Sequence, residues 1–115
     1  MKTSRDYSLL YSMHKYIIDI ERFALELDMS FDKFIADDKS KYAINMCILQ
    51  IGELVIKLSD EFKATYREVP WRKIIALRHR TAHAYEELDV LIVWQIAIED
   101  IPKLKSFVEG ILNEA

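Results

Sequence analysis

Residues 5–28, RDYSLLYSMHKYIIDIERFALELD, carry the clearest structural pattern in the chain. Their apolar side chains recur every three or four positions and therefore line one stripe of a helix. The stripe consists of Leu10, Met13, Ile17, Ile20, Ala24 and Leu27. A second apolar face is formed by Tyr7, Tyr11, Ile18, Phe23 and Leu25. Because a helix that is apolar on two sides usually has partners on both, the pattern predicts a long first helix beside other helices or a second subunit.

A short turn and a second long helix are predicted next. Ser30 can cap the turn, and Asp37 or Asp38 can cap a helix that runs to about Phe62. The helical spacing predicts a buried stripe that includes Tyr42, Met46, Leu49, Glu53 and Ile56, with the neighbours Ala43, Cys47, Leu54, Val55 and Leu58. At the start of the chain, Thr3 with Asp6 resembles a capping box for the first helix.

Gly52 lies in the middle of the second helix, where glycine costs about 1 kcal/mol relative to alanine. The simplest use for it is close approach of a neighbouring backbone. Glu53 and Gln50 either brace a neighbouring segment through hydrogen bonds or are exposed, and the sequence leaves both open.

Two more helices complete the predicted fold. Pro70 suits the first turn of a third helix, which Trp71 anchors and which ends near 83–88. Asp89 can cap a fourth helix, and Pro102 is expected to kink or break it because proline lacks an N–H. The sequence therefore predicts one all-α domain over residues 1–115, a four- to five-helix up-and-down bundle.

The composition favours a soluble helical protein. Of 115 residues, 51% are hydrophobic and only two each are glycine and proline, which disfavours disordered and collagen-like chains. Cys47 is the only cysteine, so neither an intramolecular disulfide nor a cysteine-based zinc site is expected. The N-terminus lacks the apolar segment of a signal peptide, and no apolar run is long enough to cross a bilayer. We therefore expect a cytoplasmic protein with no membrane contact.

The charges are distributed unevenly along the chain. The net charge of −3 argues against wholesale electrostatic wrapping of nucleic acid. Between positions 63 and 83, however, Glu68 is the only acid among six basic residues, namely Lys63, Arg67, Arg72, Lys73, Arg78 and Arg80. Such a patch can hold a phosphate chain, although a solvated helix surface is the plainer interpretation.

Residues 78–85, RHRTAHAY, concentrate chemistry that a helix bundle does not need. They contain two arginines, two histidines and a tyrosine, which supply cationic donors and groups that titrate near neutral pH. On a regular helix Arg78 and Tyr85 share a stripe, whereas Arg78 and His83 diverge by roughly 140°. Bringing Arg78 and His83 together therefore needs a helix end near His83, a long reach by Arg78, or a partner subunit.

This set of side chains suits phosphoryl transfer on RNA. The ribose 2′-hydroxyl attacks its own phosphate, so the protein needs to supply only proton transfer by histidine and charge stabilisation by arginine. His79 and His83, four residues apart, could share a zinc ion. No third ligand lies close in sequence, so no metal site and no cofactor are predicted.

At these residues the chain resembles the HepT-like toxins of the HEPN superfamily. Arg78, four intervening residues, His83, Ala84 and Tyr85 match the Arg-x4-His-x-Tyr motif of that family. The resemblance extends over nearly the whole chain, through residues 49–53, residues 69–71, and Trp94 with residues 101–102. One departure is His79, which stands where the family commonly has asparagine.

The resemblance implies a HEPN-like homodimer whose two motifs line a shared cleft that acts as a metal-independent endoribonuclease on RNA. Arg78 and His83 would be the catalytic pair, with His79 and Arg80 in supporting roles. The family is usually encoded beside an MntA-like minimal nucleotidyltransferase, an antitoxin that transfers AMP to the motif tyrosine, and Tyr85 would be that acceptor. The resemblance thus implies a toxin–antitoxin system of type VII.

Two alternatives remain open at this point. The chain could be a catalytically inactive HEPN module that binds nucleotide or partners a nucleotidyltransferase, as its acidity and His79 suggest. Alternatively, Arg78 and Arg80 could serve the fold alone, bridging to Glu53, Glu86 or Glu87 while His83 caps a helix end.

Overall fold

The computed structural model describes the backbone of residues 4–80 and 87–114, and the side chains of residues 5–78 and 90–114. Its elements are α1 Ser4–Glu26, α2 Phe31–Ala36, α3 Asp38–Lys57, α4 Asp60–Thr65, α5 Trp71–Arg80, α6 Glu87–Gln95, a π-helix Ile96–Asp100 and α7 Ile101–Asn113. The described residues contain no strand, so the prediction of an all-α bundle is confirmed. Over the same residues, no helix combines the length and the apolar character needed to cross a lipid bilayer.

Helix α1 forms the centre of the bundle. Its whole predicted stripe is buried, from Leu10 to Leu27, and the helix packs against α3 and α7. The second apolar face is only partly covered. Tyr7 packs edge-to-face on Phe62 with ring centroids 6.0 Å apart, whereas Tyr11 and Leu25 are exposed. His14, which carries no predicted role, contacts Glu109 on α7 at 2.8 Å and helps to join the two helices.

Side-chain caps fix the starts of α2 and α3 as predicted. The Ser30 hydroxyl accepts a hydrogen bond from the backbone N–H of Lys33 at 3.2 Å. The Asp37 carboxylate accepts from the backbone N–H groups of Lys39 and Ser40. It also accepts from the Ser40 hydroxyl at 2.8 Å, which lowers the pKa of Asp37. These bonds satisfy N–H groups that a helix start leaves without a partner inside the helix.

The second long helix ends earlier than the predicted boundary at Phe62. Helix α3 stops at Lys57, and Ser59 caps α4 by accepting from the Phe62 N–H at 3.1 Å. Ser59 in turn donates its own N–H and hydroxyl to Asp6, at 2.9 and 2.7 Å. Asp6 is therefore buried beside Ser59 and joins α1 to the start of α4, a tertiary role that the predicted capping box did not include. Thr3, the other residue of the predicted box, lies outside the described residues.

The predicted buried stripe of α3 is wrong in part. The core face consists of Ile44, Cys47, Ile48, Ile51 and Val55, so among the predicted residues only neighbours such as Cys47 and Val55 are buried. Three members of the predicted stripe, Tyr42, Met46 and Ile56, are instead 54%, 53% and 42% exposed. Apolar residues occur on both sides of this helix, so spacing alone did not identify the side that faces α1.

Pro102 is accommodated without breaking the helix. Asp89 lies within α6 and does not precede it as the predicted cap would. Five residues of π-helix, Ile96–Asp100, then lead into α7, and the Ile101 N–H donates to the Ile96 carbonyl. Proline lacks an N–H and clashes with the carbonyl four residues before it. A wider turn just ahead of Pro102 relieves that clash, so the backbone stays helical.

Candidate active site

Helix α5 carries the candidate arginine, and Trp71 anchors its first turn. The indole Nε1–H is shared between two backbone carbonyls, those of Tyr66 at 3.1 Å and Lys63 at 3.2 Å. The ring packs against Phe62, with centroids 6.3 Å apart. Further along α5, Ile74 and Leu77 are buried in the core. These contacts fix the start of α5, and the helix packs against α3.

Gly52 allows α3 and α5 to approach closely, as predicted. A Cβ atom at position 52 would stand 3.0 Å from the Cβ of Arg78, which is tighter than ordinary side-chain contacts. The neighbouring atom belongs to the rigid base of the Arg78 side chain and cannot move away independently of α5. Glycine is therefore required here for space, and the space it leaves is occupied by the candidate catalytic residue.

Glu53 holds the far end of the same arginine. The Arg78 Nη1 group donates to Glu53 Oε1, so adjacent residues of α3 contact both ends of one side chain on α5. Of the two possibilities left open for Glu53, bracing is therefore observed. Gln50 does not take part, since its amide points to the Met46 sulfur at 3.7 Å.

The Arg78–Glu53 pair is held in place while part of it faces solvent. The side chains of Arg78 and Glu53 are 29% and 46% exposed. A guanidinium presents five N–H donors in a planar fork, so a carboxylate on one edge can orient it while other donors face a phosphate. A purely structural role for Arg78 would also require this ion pair. The ion pair alone therefore does not distinguish a catalytic role of Arg78 from a structural one.

The other predicted site residues are not tested by these contacts. His79 and Arg80 are the last two residues of α5, and their side chains lie outside the described part of the structure. His83 and the proposed acceptor Tyr85 lie outside the described residues altogether. The structure thus places Arg78 and identifies its partners, while the convergence of Arg78 with His83 stays a prediction.

Cys47 has no nucleophilic role in this site. It is buried on α3, and burial raises the pKa of its thiol to about 11. A thiol with such a pKa stays protonated near neutral pH, and the thiolate is the reactive form.

Sequence reasoning found the stripe of α3 beside the Arg78–Glu53 pair but assigned it to the core. Tyr42, Met46, Leu49, Glu53 and Ile56 form one stripe of α3, and its three exposed apolar members flank Glu53. We call this set the α3 stripe. Its alternating steps of four and three are the spacing of helices that pack on other helices, which was the available signal.

Comparison with known proteins agrees with the resemblance seen at residues 78–85. The family model described as "Ribonuclease HepT-like" matches residues 13–111. A protein of Thermococcus cleftensis described as "Probable ribonuclease HepT" is 34% identical over 104 residues, covering 90% of this chain and 91% of its own length. A "Putative RNase" of Methanocaldococcus jannaschii is 32% identical over 107 residues, covering 93% and 90%.

A third relative matches almost end to end. A "Putative RNase" of Caldanaerobacter subterraneus subsp. tengcongensis is 32% identical over 114 residues, covering 99% of this chain and 98% of its own. No solved structure was found to match. The family match spans most of the helical bundle and includes Gly52, Glu53 and Arg78. The chain therefore belongs to the HepT-like family of HEPN-type ribonucleases.

Proposed function

We propose that this protein is a metal-independent endoribonuclease that acts in the cytoplasm as the toxin of a toxin–antitoxin pair. The observation that carries the proposal is the fixed position of Arg78. Glu53 orients its guanidinium, and Gly52 allows α5 to lie close enough for that contact. Membership of a ribonuclease family supports RNA as the substrate.

The proposed reaction uses the RNA's own nucleophile. The ribose 2′-oxygen forms a bond to the adjacent phosphorus as the bond from phosphorus to the 5′-oxygen of the next nucleotide breaks. The 2′-hydroxyl loses its proton to a base, and the leaving 5′-oxygen gains one. The products are a 2′,3′-cyclic phosphate and a 5′-hydroxyl, so neither water nor a metal-bound hydroxide is consumed in the step.

Arg78 and His83 divide this work in the proposal. Arg78 binds the non-bridging phosphate oxygens and stabilises the added negative charge of the five-coordinate transition state. His83 transfers the proton, because an imidazole titrates near neutral pH. His79 and Arg80 support them, either by orienting His83 or by contacting a neighbouring phosphate.

The α3 stripe supports the proposed homodimer. Its three exposed apolar side chains lie on both sides of Glu53 and would be buried if two copies packed through α3. Exposed apolar surface of this kind marks interaction sites, and the spacing suits a second helix. A dimer built on this stripe would bring two Arg78–Glu53 pairs to one interface, and a shared cleft would result.

The dimer can be tested with a matched pair of variants. Met46→Asp places a charge in the α3 stripe, whereas Leu25→Asp places one at a comparably exposed apolar position on α1. In sedimentation velocity we expect the parent and Leu25→Asp to show twice the 13.6 kDa chain mass, and Met46→Asp to show the mass of one chain. A monomeric parent at micromolar concentration would contradict the shared cleft.

Tyr85 is the proposed point of control. Transfer of AMP to its hydroxyl by a partner nucleotidyltransferase would add negative charge and bulk where RNA must bind. Coexpression with an MntA-like nucleotidyltransferase should raise the intact mass by one or more AMP units. A Tyr85→Phe variant that still gains this mass would move the acceptor to another residue.

Growth of an expressing strain tests the toxin function. We expect induction of the parent to slow growth and either Arg78→Ala or His83→Ala to relieve the effect. If both variants accumulate to the parental level and remain as toxic as the parent, the catalytic roles are wrong. If the parent binds the nucleotidyltransferase and never cleaves RNA, the inactive HEPN module becomes the correct interpretation.

A further inference from the structure

The described basic side chains differ in whether a carboxylate neutralises them. Outside residues 63–80, five form ion pairs, namely Lys15, Arg22, Lys33, Lys41 and Lys105, whereas Arg5, Lys39, Lys57 and Lys103 form none within the described residues. From α4 to the first turn of α5, none of Lys63, Arg67, Arg72 and Lys73 has a carboxylate partner within the described residues. These four cations follow one another among the basic residues of the sequence, so the described structure leaves a local group of them available to an anion.

Helix geometry connects this group to the candidate site. Arg72, Ile75 and Arg78 are spaced by three residues, so they form one diagonal row across the surface of α5. Arg72 is exposed and lies about 9 Å from Arg78 along the helix axis. The two side chains point about 120° apart around the axis, so an anionic chain that follows this row crosses the exposed face of α5 obliquely to reach Arg78.

Lys73 lies on the α7 side of α5, about 140° around the helix axis from Arg78, and on the exposed face of the helix Arg72 lies between them. Lys73 and Lys103 line one shallow groove between α5 and α7, with Ile74, Leu77, Leu104 and Phe107 among its other walls. Both lysines are exposed, and neither forms an ion pair within the part of the chain that the structure describes. Asp100 also lines the groove and reduces its positive potential, although no lysine of the described residues is paired to it.

We propose that Arg72, Lys73 and Lys103 form a binding track for the phosphate backbone of single-stranded RNA. RNA bound on this track would extend across α5 to Arg78. The inference rests on the proposed ribonuclease function and identifies where the substrate extends beyond the cleaved bond. Lysine and arginine side chains that no carboxylate neutralises bind phosphates by charge, without reading the base sequence. RNA fits better than an acidic protein surface because the row ends at the arginine proposed to hold the scissile phosphate.

The test compares two double variants that remove the same charge. Arg72→Gln with Lys73→Gln removes two cations of the track. Lys15→Gln with Lys39→Gln removes two cations from exposed positions on α1 and α3. Binding of fluorescein-labelled poly(U) RNA is measured by anisotropy over a range of salt concentrations, and cleavage of the same RNA is followed separately.

We expect the track variant to bind RNA about tenfold more weakly than the parent at about 0.1 M salt, with a shallower dependence on salt. The slope of log affinity against log salt should fall by about 0.7 for each phosphate of the single strand that the variant no longer neutralises. In cleavage assays the weaker binding should appear as a higher KM. The control variant should follow the parent in both assays.

Two results would overturn the inference. Parental RNA binding by the track variant would show that these cations serve another partner, such as an acidic protein. An equal weakening in both double variants would show that only total charge matters. Failure of the proposed ribonuclease function would give a different result. The parent would then bind RNA with the predicted salt dependence but would not cleave it. That result would support the binding track and contradict the proposed ribonuclease activity.

Discussion

Gly52 of α3 and Arg78 of α5 lie in such close contact that a methyl group on Gly52 would stand 3.0 Å from the Cβ of Arg78. The residue after the glycine, Glu53, accepts a hydrogen bond from the guanidinium of the same arginine. The position of Arg78 therefore depends on two consecutive residues of another helix, one that provides space and one that provides charge. This dependence makes the role of α3 in the site testable without changing Arg78 itself.

Gly52→Ala is expected to impair cleavage more than folding. Alanine gains about 1 kcal/mol in helix propensity, and the close contact with Arg78 costs about 1–3 kcal/mol, so we expect a net loss of about 1 kcal/mol in the free energy of unfolding. Because α5 must shift by a fraction of an ångström, cleavage should fall about tenfold. Urea denaturation and RNA cleavage rates measure the two effects.

Gly110→Ala is the matched control. Gly110 lies in α7, and among the described residues no atom beyond its chain neighbours and its own helix backbone stands within 4 Å of the place its Cβ would occupy. We expect this variant to gain up to about 1 kcal/mol in stability from helix propensity with parental cleavage. Equal activity of the two glycine variants would contradict a spatial requirement at position 52.

Glu53→Gln tests whether the carboxylate positions Arg78. Glutamine keeps a hydrogen-bond acceptor but loses the charge that orients the guanidinium, so kcat should fall about tenfold. KM should not rise, because removal of a negative charge near the cleft also reduces repulsion of RNA. A variant whose KM rises while kcat stays parental would show that Glu53 acts in binding and not in positioning.

The helical bundle could be predicted from the sequence because the signals for it are local. Ser30, Asp37 and Pro70 mark helix starts through their own side chains, and the α1 stripe follows from spacing alone. The break after Lys57 was missed because it depends on Asp6, 53 positions away from Ser59. The buried side of α3 was assigned wrongly because an interaction surface and a core face have the same apolar spacing. For the candidate site, the motif identified Arg78. The sequence could not show whether Glu53 or Gln50 contacts it, because that depends on how α5 packs on α3.

Asp6→Ala is expected to destabilise the fold strongly. Asp6 is 1% exposed and its carboxylate accepts two hydrogen bonds from Ser59, so its removal leaves a part-buried N–H and hydroxyl without this acceptor. We expect the free energy of unfolding to fall by about 3 kcal/mol in urea denaturation. Asp32→Ala, which removes an exposed carboxylate from α2, should change it by less than about 0.5 kcal/mol. Similar small effects in both variants would contradict a structural role for the Asp6–Ser59 contact.

Asp37 should contribute to the loss of stability in acid. The Ser40 hydroxyl and backbone N–H groups lower its pKa in the folded state below the ordinary value of 3.8. A carboxyl with a lowered folded-state pKa stabilises the fold above its unfolded pKa, and this contribution disappears as the pH falls through the folded value. Asparagine still caps a helix but does not titrate. Between about pH 5 and about pH 3, the melting temperature of Asp37→Asn should therefore fall less than that of the parent. Parallel curves for the two proteins would argue against this contribution.

Cleavage of purified RNA in the presence of EDTA tests the central claim most directly. The parent should cut single-stranded RNA without added metal and leave 2′,3′-cyclic phosphate and 5′-hydroxyl ends. Arg78→Ala and His83→Ala, folded as judged by circular dichroism, should each lose activity by about 100-fold or more. A strict requirement for a divalent metal, or parental activity in both variants, would contradict a site in which Arg78, held by Glu53, stabilises the phosphate attacked by its own ribose.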